Sequence, residues 1–235
     1  MLSVHRVTAG YTRGSRVLDG LSLEILAGEA VALLGRNGMG KSTLLRTITG
    51  HLKPSSGEIQ FKGGMIASLA PYRIARAGIG YVPQGREIFA DFTVEENLQM
   101  GVLGKPNLGR HVPPWAFELF PILGERREQR AGTMSGGQQQ QLAIMRALVG
   151  EPDLLLLDEP SEGIQPSIVH DTGLALKRYA GERGLTILLV EQNIDLVSLL
   201  ASRAAFVENG SIAEETHDIG RLQSDASLIH RYLSV

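Results

Sequence analysis

Lys41 and Ser42 close the stretch Gly35-Arg36-Asn37-Gly38-Met39-Gly40-Lys41-Ser42-Thr43, which satisfies the spacing Gly-x-x-x-x-Gly-Lys-Ser. Glycines so placed let successive backbone N–H groups point into one concavity and approach phosphate oxygens closely. A helix that follows adds the positive end of its dipole. Lys41 would then reach the β- and γ-phosphates of a nucleoside triphosphate, and Ser42 would ligate Mg²⁺. The bland reading is a plain glycine-rich turn. The flanks oppose it: Val31 to Leu34 reads as a buried strand, Gly35 to Gly40 as a turn and Ser42 to Ile48 as a helix start, the setting that the phosphate loop requires.

Acids stand where such a loop needs them. Asp153 to Leu157 is an apolar run that suits a central parallel strand buried on both faces, and it ends in Asp158-Glu159-Pro160. Open α/β sheets place ligands at that carboxyl end. Asp158 would hold Mg²⁺ through water and Glu159 would polarise the attacking water; a solvated turn is the alternative. Gln84 leaves a strand-like run, Ile79 to Val82, at a point where Pro83 removes a ladder donor and frees the chain to bend. That suits a mobile polar ligand.

Met134-Ser135-Gly136-Gly137-Gln138 introduces a helical pattern from Gln139 to Val149. Ser135 is a candidate N-cap, and Gly136 and Gly137 would expose backbone N–H groups at a helix N-terminus. The stretch reads either as a second anion site or as an ordinary capped helix. Tyr11 lies upstream of the phosphate loop by the distance typical of an aromatic that stacks on adenine, with packing at a strand end as the alternative.

The elements that must position these residues follow from pattern and punctuation. Leu2 to Val7 alternates as an edge strand, Leu21 to Ile25 as another, and Ala30 to Leu34 as the core strand entering the loop. Breakers from Gly50 to Gly57 stop the first helix, and Glu58 to Lys62 is a short strand. Pro71 to Ala77 suggests a short helix. From Arg86 to Gly150 the period turns helical: Thr93 and Glu96 form a capping-box pair for Val94 to Met100, Gly104 to Pro114 is a breaker-rich loop, and Trp115 to Leu123 is an amphipathic segment. Trp115 and Phe117 read as packing residues. Pro166 to Arg183 is a helix ending near Gly184, Thr186 to Val190 a buried strand closing in Glu191-Gln192-Asn193, and Ile194 to Leu200 a helix. Ala204 to Val207 and Ser211 to Glu214 flank an Asn209-Gly210 hairpin turn, and the tail to Val235 suggests short amphipathic helices.

Composition narrows the function classes. With 235 residues the chain fits one large domain, or one domain with a sub-lobe. A net charge of −2 supplies no basic field, so nucleic acid is not the expected partner. No cysteine is present, which excludes disulfides and thiolate metal sites and suits a reducing cytoplasm. The six histidines lack metal-ligand spacing. No signal peptide is expected at Met1 to Arg6, and no apolar run approaches the roughly 20 residues of a bilayer span, so a membrane role would need a partner.

Taken in order, Tyr11, Gly35 to Ser42, Gln84, Ser135 to Gln138 and Leu154 to Glu159 resemble the nucleotide-binding subunit of ATP-binding cassette (ABC) transporters over essentially the whole chain. A phosphate loop alone indicates only an NTPase; the Ser-Gly-Gly-Gln element between Gln84 and the Asp-Glu pair is far more specific. The resemblance implies an α/β P-loop NTPase of ABC type with a mostly parallel core sheet, an N-terminal antiparallel β subdomain and an α-helical signature subdomain over about 86–150. It implies ATP and Mg²⁺ as cofactors, with Gly35, Arg36, Asn37, Gly38, Met39, Gly40, Lys41, Ser42 and Thr43 around the phosphates and Ser42, Gln84 and Asp158 around the metal. Two cassettes would meet head to tail, so that Ser135, Gly136, Gly137 and Gln138 of one cap ATP on the other. Permease subunits and, indirectly, a solute-binding protein would complete a transporter, with this chain peripheral on the cytoplasmic face of the inner membrane.

Two departures from the usual pattern stand out. Gln192 occupies the position commonly filled by a histidine that contacts the γ-phosphate; its amide donates a hydrogen bond but carries no charge. The stretch Pro160-Ser161-Glu162-Gly163-Ile164-Gln165 lacks the usual terminal aspartate. Such departures resemble the branch serving branched-chain amino acid and related amide uptake, and Gly35 to Lys41, Gln138 to Leu142 and Glu162 to Ser167 resemble its urea or short-chain amide subgroup more than its leucine subgroup. The sequence therefore points to an ATPase powering import of urea or a short-chain amide, with Glu159, Lys41 and Gln192 as catalytic residues and branched-chain amino acids as the alternative cargo. A nucleic-acid or ribosome clamp lacks support in charge and heptads. A cassette that has lost hydrolysis is opposed by the presence of Lys41, Ser42, Asp158 and Glu159.

Overall fold

Leu154, Leu155, Leu156 and Leu157 all lie fully inside the protein, yet they do not share one core. Strand side chains alternate between faces. Leu154 and Leu156 join an apolar cluster with Val31, Leu33, Leu188 and Val190, while Leu155 and Leu157 join another with Ala32, Leu34, Ile187 and Leu189. An uninterrupted apolar run thus means a sheet covered on both sides. The computed structural model describes residues 1–12, 14–103, 111–225 and 230–232.

Three strands carry those residues: β3 (Ala30–Leu34), β7 (Leu154–Asp158) and β8 (Thr186–Val190). With β6 (Ile79–Val82), β9 (Arg203–Glu208) and β10 (Ser211–Thr216) they form a six-stranded sheet in the order β10-β9-β3-β8-β7-β6. The pairs β9–β3, β3–β8, β8–β7 and β7–β6 are parallel, and only the β9–β10 hairpin is antiparallel. A second, antiparallel sheet has the order β2-β1-β4-β5, from β1 (Leu2–Ala9), β2 (Leu18–Ile25), β4 (Ser56–Phe61) and β5 (Gly64–Met65).

The second sheet corrects one expectation. β1 is not an edge strand: β2 pairs with one side and β4 with the other, with Val4 opposite both Leu23 and Ile59. Alternation marks one buried face but is silent about how many neighbours a strand has. Helix α1 (Lys41–Ile48) packs in the cluster between the two sheets through Leu44, Leu45 and Ile48.

On the opposite face lie α3 (Val94–Val102), α4 (Trp115–Leu119), α5 (Pro121–Glu125), α6 (Gly136–Leu148), α7 (Pro166–Arg183) and α8 (Ile194–Leu200), whose apolar residues share the other cluster. The short α2 (Pro71–Ala77) and α9 (Arg221–Ser224) are two further helices. Thr93 and Glu96 form the expected capping box at α3. The single segment expected from Trp115 to Leu123 is two helices, because Phe120 leaves helical geometry ahead of Pro121. Trp115 packs with Tyr179 at 5.1 Å between ring centres. α7 opens with proline in its first turn and closes on Gly184 in the left-handed region. The loop expected from Gly104 lies largely outside the described residues, as does most of the tail beyond residue 225.

Candidate active site

The loop after β3 is shaped by two glycines that tolerate no side chain. Gly35 has φ 150°, and a Cβ there would sit 2.5 Å from the Val207 carbonyl oxygen; Gly40 has φ 102°, and its Cβ would meet Leu18 and Val17 at about 3 Å. Gly40 is the N-cap of α1, which starts at Lys41, one residue earlier than expected, and no side chain caps it. The first-turn N–H groups are left to an anion. Lys41 is buried, and its Nζ donates to the carbonyls of Gly35 at 2.6 Å and Arg36 at 2.9 Å, so the ammonium sits within the loop's own curve. Burial lowers its pKa, opposed by the fields of Glu159, Asp158 and Glu191.

A cavity of about 480 Å³ opens on this loop, lined by Asn37, Gly38, Gly40, Lys41, Ser42 and Thr43. Tyr11, Gln84, Glu159 and Glu162 line it too, drawn from three other parts of the chain. Tyr11 is half exposed and its hydroxyl lies 3.2 Å from Thr43 Oγ1, so its ring stands beside the loop and open to a flat ligand. Arg36 and Met39 instead line a separate, smaller cavity with Tyr232, and Arg36 donates to the His230 carbonyl at 3.3 Å. Those two residues would serve a phosphate only through their backbone.

Asp158 is the last residue of β7, and its register beside β8 delivers it opposite Val190. Its Oδ1 accepts from Ser42 Oγ at 2.9 Å and its Oδ2 from the Tyr81 hydroxyl at 3.3 Å. Burial pushes its carboxyl up, while the two hydrogen bonds and Arg46 and Lys41 act the other way. The serine hydroxyl and the aspartate are hard oxygen donors of the kind that suits Mg²⁺, and Gln84, which borders the same cavities, carries an amide oxygen of that kind.

Glu159 follows in the left-handed region, φ 48°, and its N–H donates to the Val190 carbonyl at 2.9 Å. This turns its side chain out of the sheet and into the cavity. Gln84 Nε2 donates to it at 3.2 Å and Gln192 Nε2 reaches it at 3.5 Å. Burial pushes the Glu159 carboxyl above its ordinary value; Lys41 opposes this, and Asp158 adds to it. A carboxylate shifted toward neutrality is suited to accept a proton from, or orient, a water.

Sequence reading missed Glu191 and Glu162. Glu191 is buried, and its carboxylate accepts backbone N–H bonds from Ser161 at 2.9 Å, Gln192 at 2.6 Å and Asn193 at 2.8 Å, which locks the loops after β7 and β8 together. An acid directly after a fully apolar strand was the available signal. Glu162 accepts from Gln84 at 2.9 Å.

Ser135 to Gln138 stand apart from this cavity. α6 begins at Gly136, not Gln139, so both glycines are helical: Ser135 Oγ accepts from Gln138 N, and the Gln138 side chain accepts from Ser135 N at 3.1 Å. This reciprocal cap outweighs the glycines' poor helix propensity. A Cβ on Gly137 would meet Ile168 at 2.7 Å, so that glycine also lets α6 approach α7.

Comparison with known proteins agrees with this geometry. Residues 18–162 match the family described as ABC transporter. The high-affinity branched-chain amino acid transport ATP-binding protein BraG of Pseudomonas aeruginosa is 46% identical over 221 residues, 94% of this chain and 93% of that protein. The probable branched-chain amino acid transport ATP-binding protein LivF of Archaeoglobus fulgidus is 36% identical over 215 residues, 91% of this chain and 90% of its own length. A nucleotide-free ATP-binding cassette superposes with a TM-score of 0.82 at 27% identity, covering 97% of each chain. A dimeric cassette in a post-hydrolysis state bound to ADP and Pi also gives 0.82, at 25% identity over 92% of this chain and 98% of that one. The fold is that of the ABC ATPase cassette, and the chain belongs to the ABC transporter family, in which hydrolysis of ATP is coupled to transport.

Proposed function

We propose that this chain is the ATP-hydrolysing subunit of an importer for branched-chain amino acids. The observation that carries the reading is the convergence on one cavity of the phosphate loop, Ser42 and Glu159, with Ser42 bonded to Asp158 at 2.9 Å. Backbone N–H groups of residues 35–43 hold the phosphates, and Lys41 neutralises their charge. Ser42, Asp158 and Gln84 would hold Mg²⁺, which when bound would supply positive charge to offset the charge developing on the phosphates. Glu159 orients the attacking water, and Gln192 offers the γ-phosphate a neutral amide donor. Tyr11 stacks on the adenine.

Ser135, Gly136, Gly137 and Gln138 serve a second cassette, this chain again or a paralogue, in a head-to-tail dimer; within one chain they lie apart from the nucleotide cavity. An apolar groove of about 430 Å³, lined by Tyr72, Ile74, Tyr81, Phe89, Arg146 and Pro152, offers a surface to the permease. No helix of the described residues is long and apolar enough to cross a membrane. As an importer's ATPase subunit the chain would sit on the cytoplasmic face of the inner membrane through that permease, with a solute-binding protein completing the path.

For the cargo, the relatives support branched-chain amino acids over the urea or short-chain amide suggested by Glu162 to Ser167, since both relatives named above are branched-chain amino acid transport proteins. Reconstitution with its permease and binding protein in vesicles tests both levels. ATP-driven uptake of leucine, isoleucine or valine, unaffected by excess urea or acetamide, is the expected result; uptake of labelled urea instead overturns the cargo. Unchanged uptake by a Glu159→Gln transporter overturns the catalytic reading.

A further inference from the structure

Gln84 and Glu162 come from loops 78 residues apart, yet their side chains meet at 2.9 Å. Each is held by a tight turn. Arg86 N donates to the Pro83 carbonyl across Gln84, and Glu162 N donates to the Glu159 carbonyl at 3.2 Å, so Glu159 and Glu162 occupy the two ends of one hydrogen-bonded turn. Both carboxylates face the same amide nitrogen: Gln84 Nε2 donates to Glu159 Oε2 at 3.2 Å and to Glu162 Oε2 at 2.9 Å. An ionised carboxylate only accepts, and a primary amide has two N–H bonds. The pair therefore consumes both amide hydrogens and fixes which end of the amide faces away from them.

We propose that Glu162 is a positioning residue for Gln84: together with Glu159 it anchors the amide nitrogen and so directs the amide oxygen toward the Mg²⁺ that Ser42 and Asp158 hold. Gln84 lines both the cavity containing Ser42 and the adjoining one of about 320 Å³ that contains Asp158, so its side chain borders the cavity of each of the other two donors. With one carboxylate, the amide could rotate about its remaining bond; with two it has a single orientation. Glu162 is exposed and belongs to no helix or strand, so its removal opens no buried cavity. The inference rests on the reading of Gln84 as a metal ligand.

The test is Mg²⁺-dependent binding of a fluorescent, non-hydrolysable ATP analogue to the full chain, with Mn²⁺ electron paramagnetic resonance as an independent view of the cation. Glu162→Ala should raise the Mg²⁺ concentration giving half-maximal effect by about tenfold, the low end for loss of an outer-shell partner. Binding of the analogue in EDTA should not change. Glu162→Gln, which keeps a carbonyl acceptor, should stay near wild type, and Glu162→Ala should add nothing in a Gln84→Ala background. Wild-type Mg²⁺ dependence in Glu162→Ala overturns the proposal. So does Glu162→Gln behaving like Glu162→Ala, since that marks the charge alone as the cause. If Gln84→Ala itself leaves the Mg²⁺ dependence unchanged, the metal reading of Gln84 fails and the proposal falls with it, an outcome distinct from failure at Glu162 alone.

Discussion

Gln192 Nε2 donates to Asn37 Oδ1 at 2.6 Å, a bond between the phosphate loop and the loop after β8 across 155 residues of sequence. The same nitrogen reaches Glu159 at 3.5 Å. The amide thus stands between the phosphate loop and the acid that would orient water. Glu191 keeps it there, accepting the Gln192 N–H at 2.6 Å and tying that loop to Ser161.

Gln192→Ala should lower kcat by on the order of 10²-fold, the usual cost of losing one preorganised donor at a site of developing charge, with a smaller change in KM for ATP. Steady-state ATPase of the assembled transporter measures it. Gln192→His should retain most of the rate, because an imidazole N–H can replace the amide donor.

The pH profile of kcat/KM should be a bell with both limbs drawn inward. Burial raises the Glu159 carboxyl above its ordinary value, so activity is gained as pH rises through a pKa higher than that of a free glutamate. Burial lowers the Lys41 ammonium below its ordinary value, so activity is lost as pH rises through a pKa lower than that of a free lysine. Gln192→Ala removes a hydrogen bond that favours ionised Glu159 and should move the acid limb to higher pH.

Glu159→Gln should bind ATP and accumulate as a dimer visible by light scattering, alone or mixed with a paralogous cassette. Formation alone indicates that Ser135 to Gln138 of one copy can cap another; formation only in the mixture indicates an asymmetric pair. A strict monomer under both conditions with ATP bound would remove the shared-site reading.

Arg203 is nearly buried in β9, and its guanidinium bonds Glu29 at 2.8 Å, Glu215 and the Glu24 carbonyl. Arg203→Ala strands two carboxylates around a partly buried hole and should cost about 3 kcal/mol of stability. Thermal unfolding should show it, at roughly 2–4 °C per kcal/mol for a chain of this size. Glu29 carries the larger share: burial acts to raise its pKa, but Arg203 and the Leu26 N–H overcome that and leave it lowered. That part of the stability is present above the ordinary glutamate pKa and fades as pH falls through the lowered one.

What was legible in the chain alone was local. The phosphate loop declares itself because Gly35, Gly40, Lys41 and Ser42 act within a single turn, at spacings the backbone enforces. The Asp158-Glu159 pair was legible because a run of four leucines between helical patterns suits a strand buried on both faces, and such a strand has a known ligand end. α6 starts three residues before the helical pattern of Gln139 to Val149, because the Ser135–Gln138 reciprocal cap draws both glycines into its first turn. What tertiary structure alone decided is the pairing across distance: β4 returning beside β1 to make it interior, Gln84 turned onto Glu159 and Glu162, Gln192 set on Asn37, and Arg203 closing on Glu29 and Glu215. Those partners are 12 to 174 residues apart in sequence for the side-chain pairs, and no spacing rule connects them. Gln84, Glu159, Glu162, Gln192 and Asn37 meet because parallel strands bring their carboxyl ends, and the loops that leave them, to one edge of the sheet, whereas Arg203 and Glu29 meet at the opposite, amino end of β9 and β3.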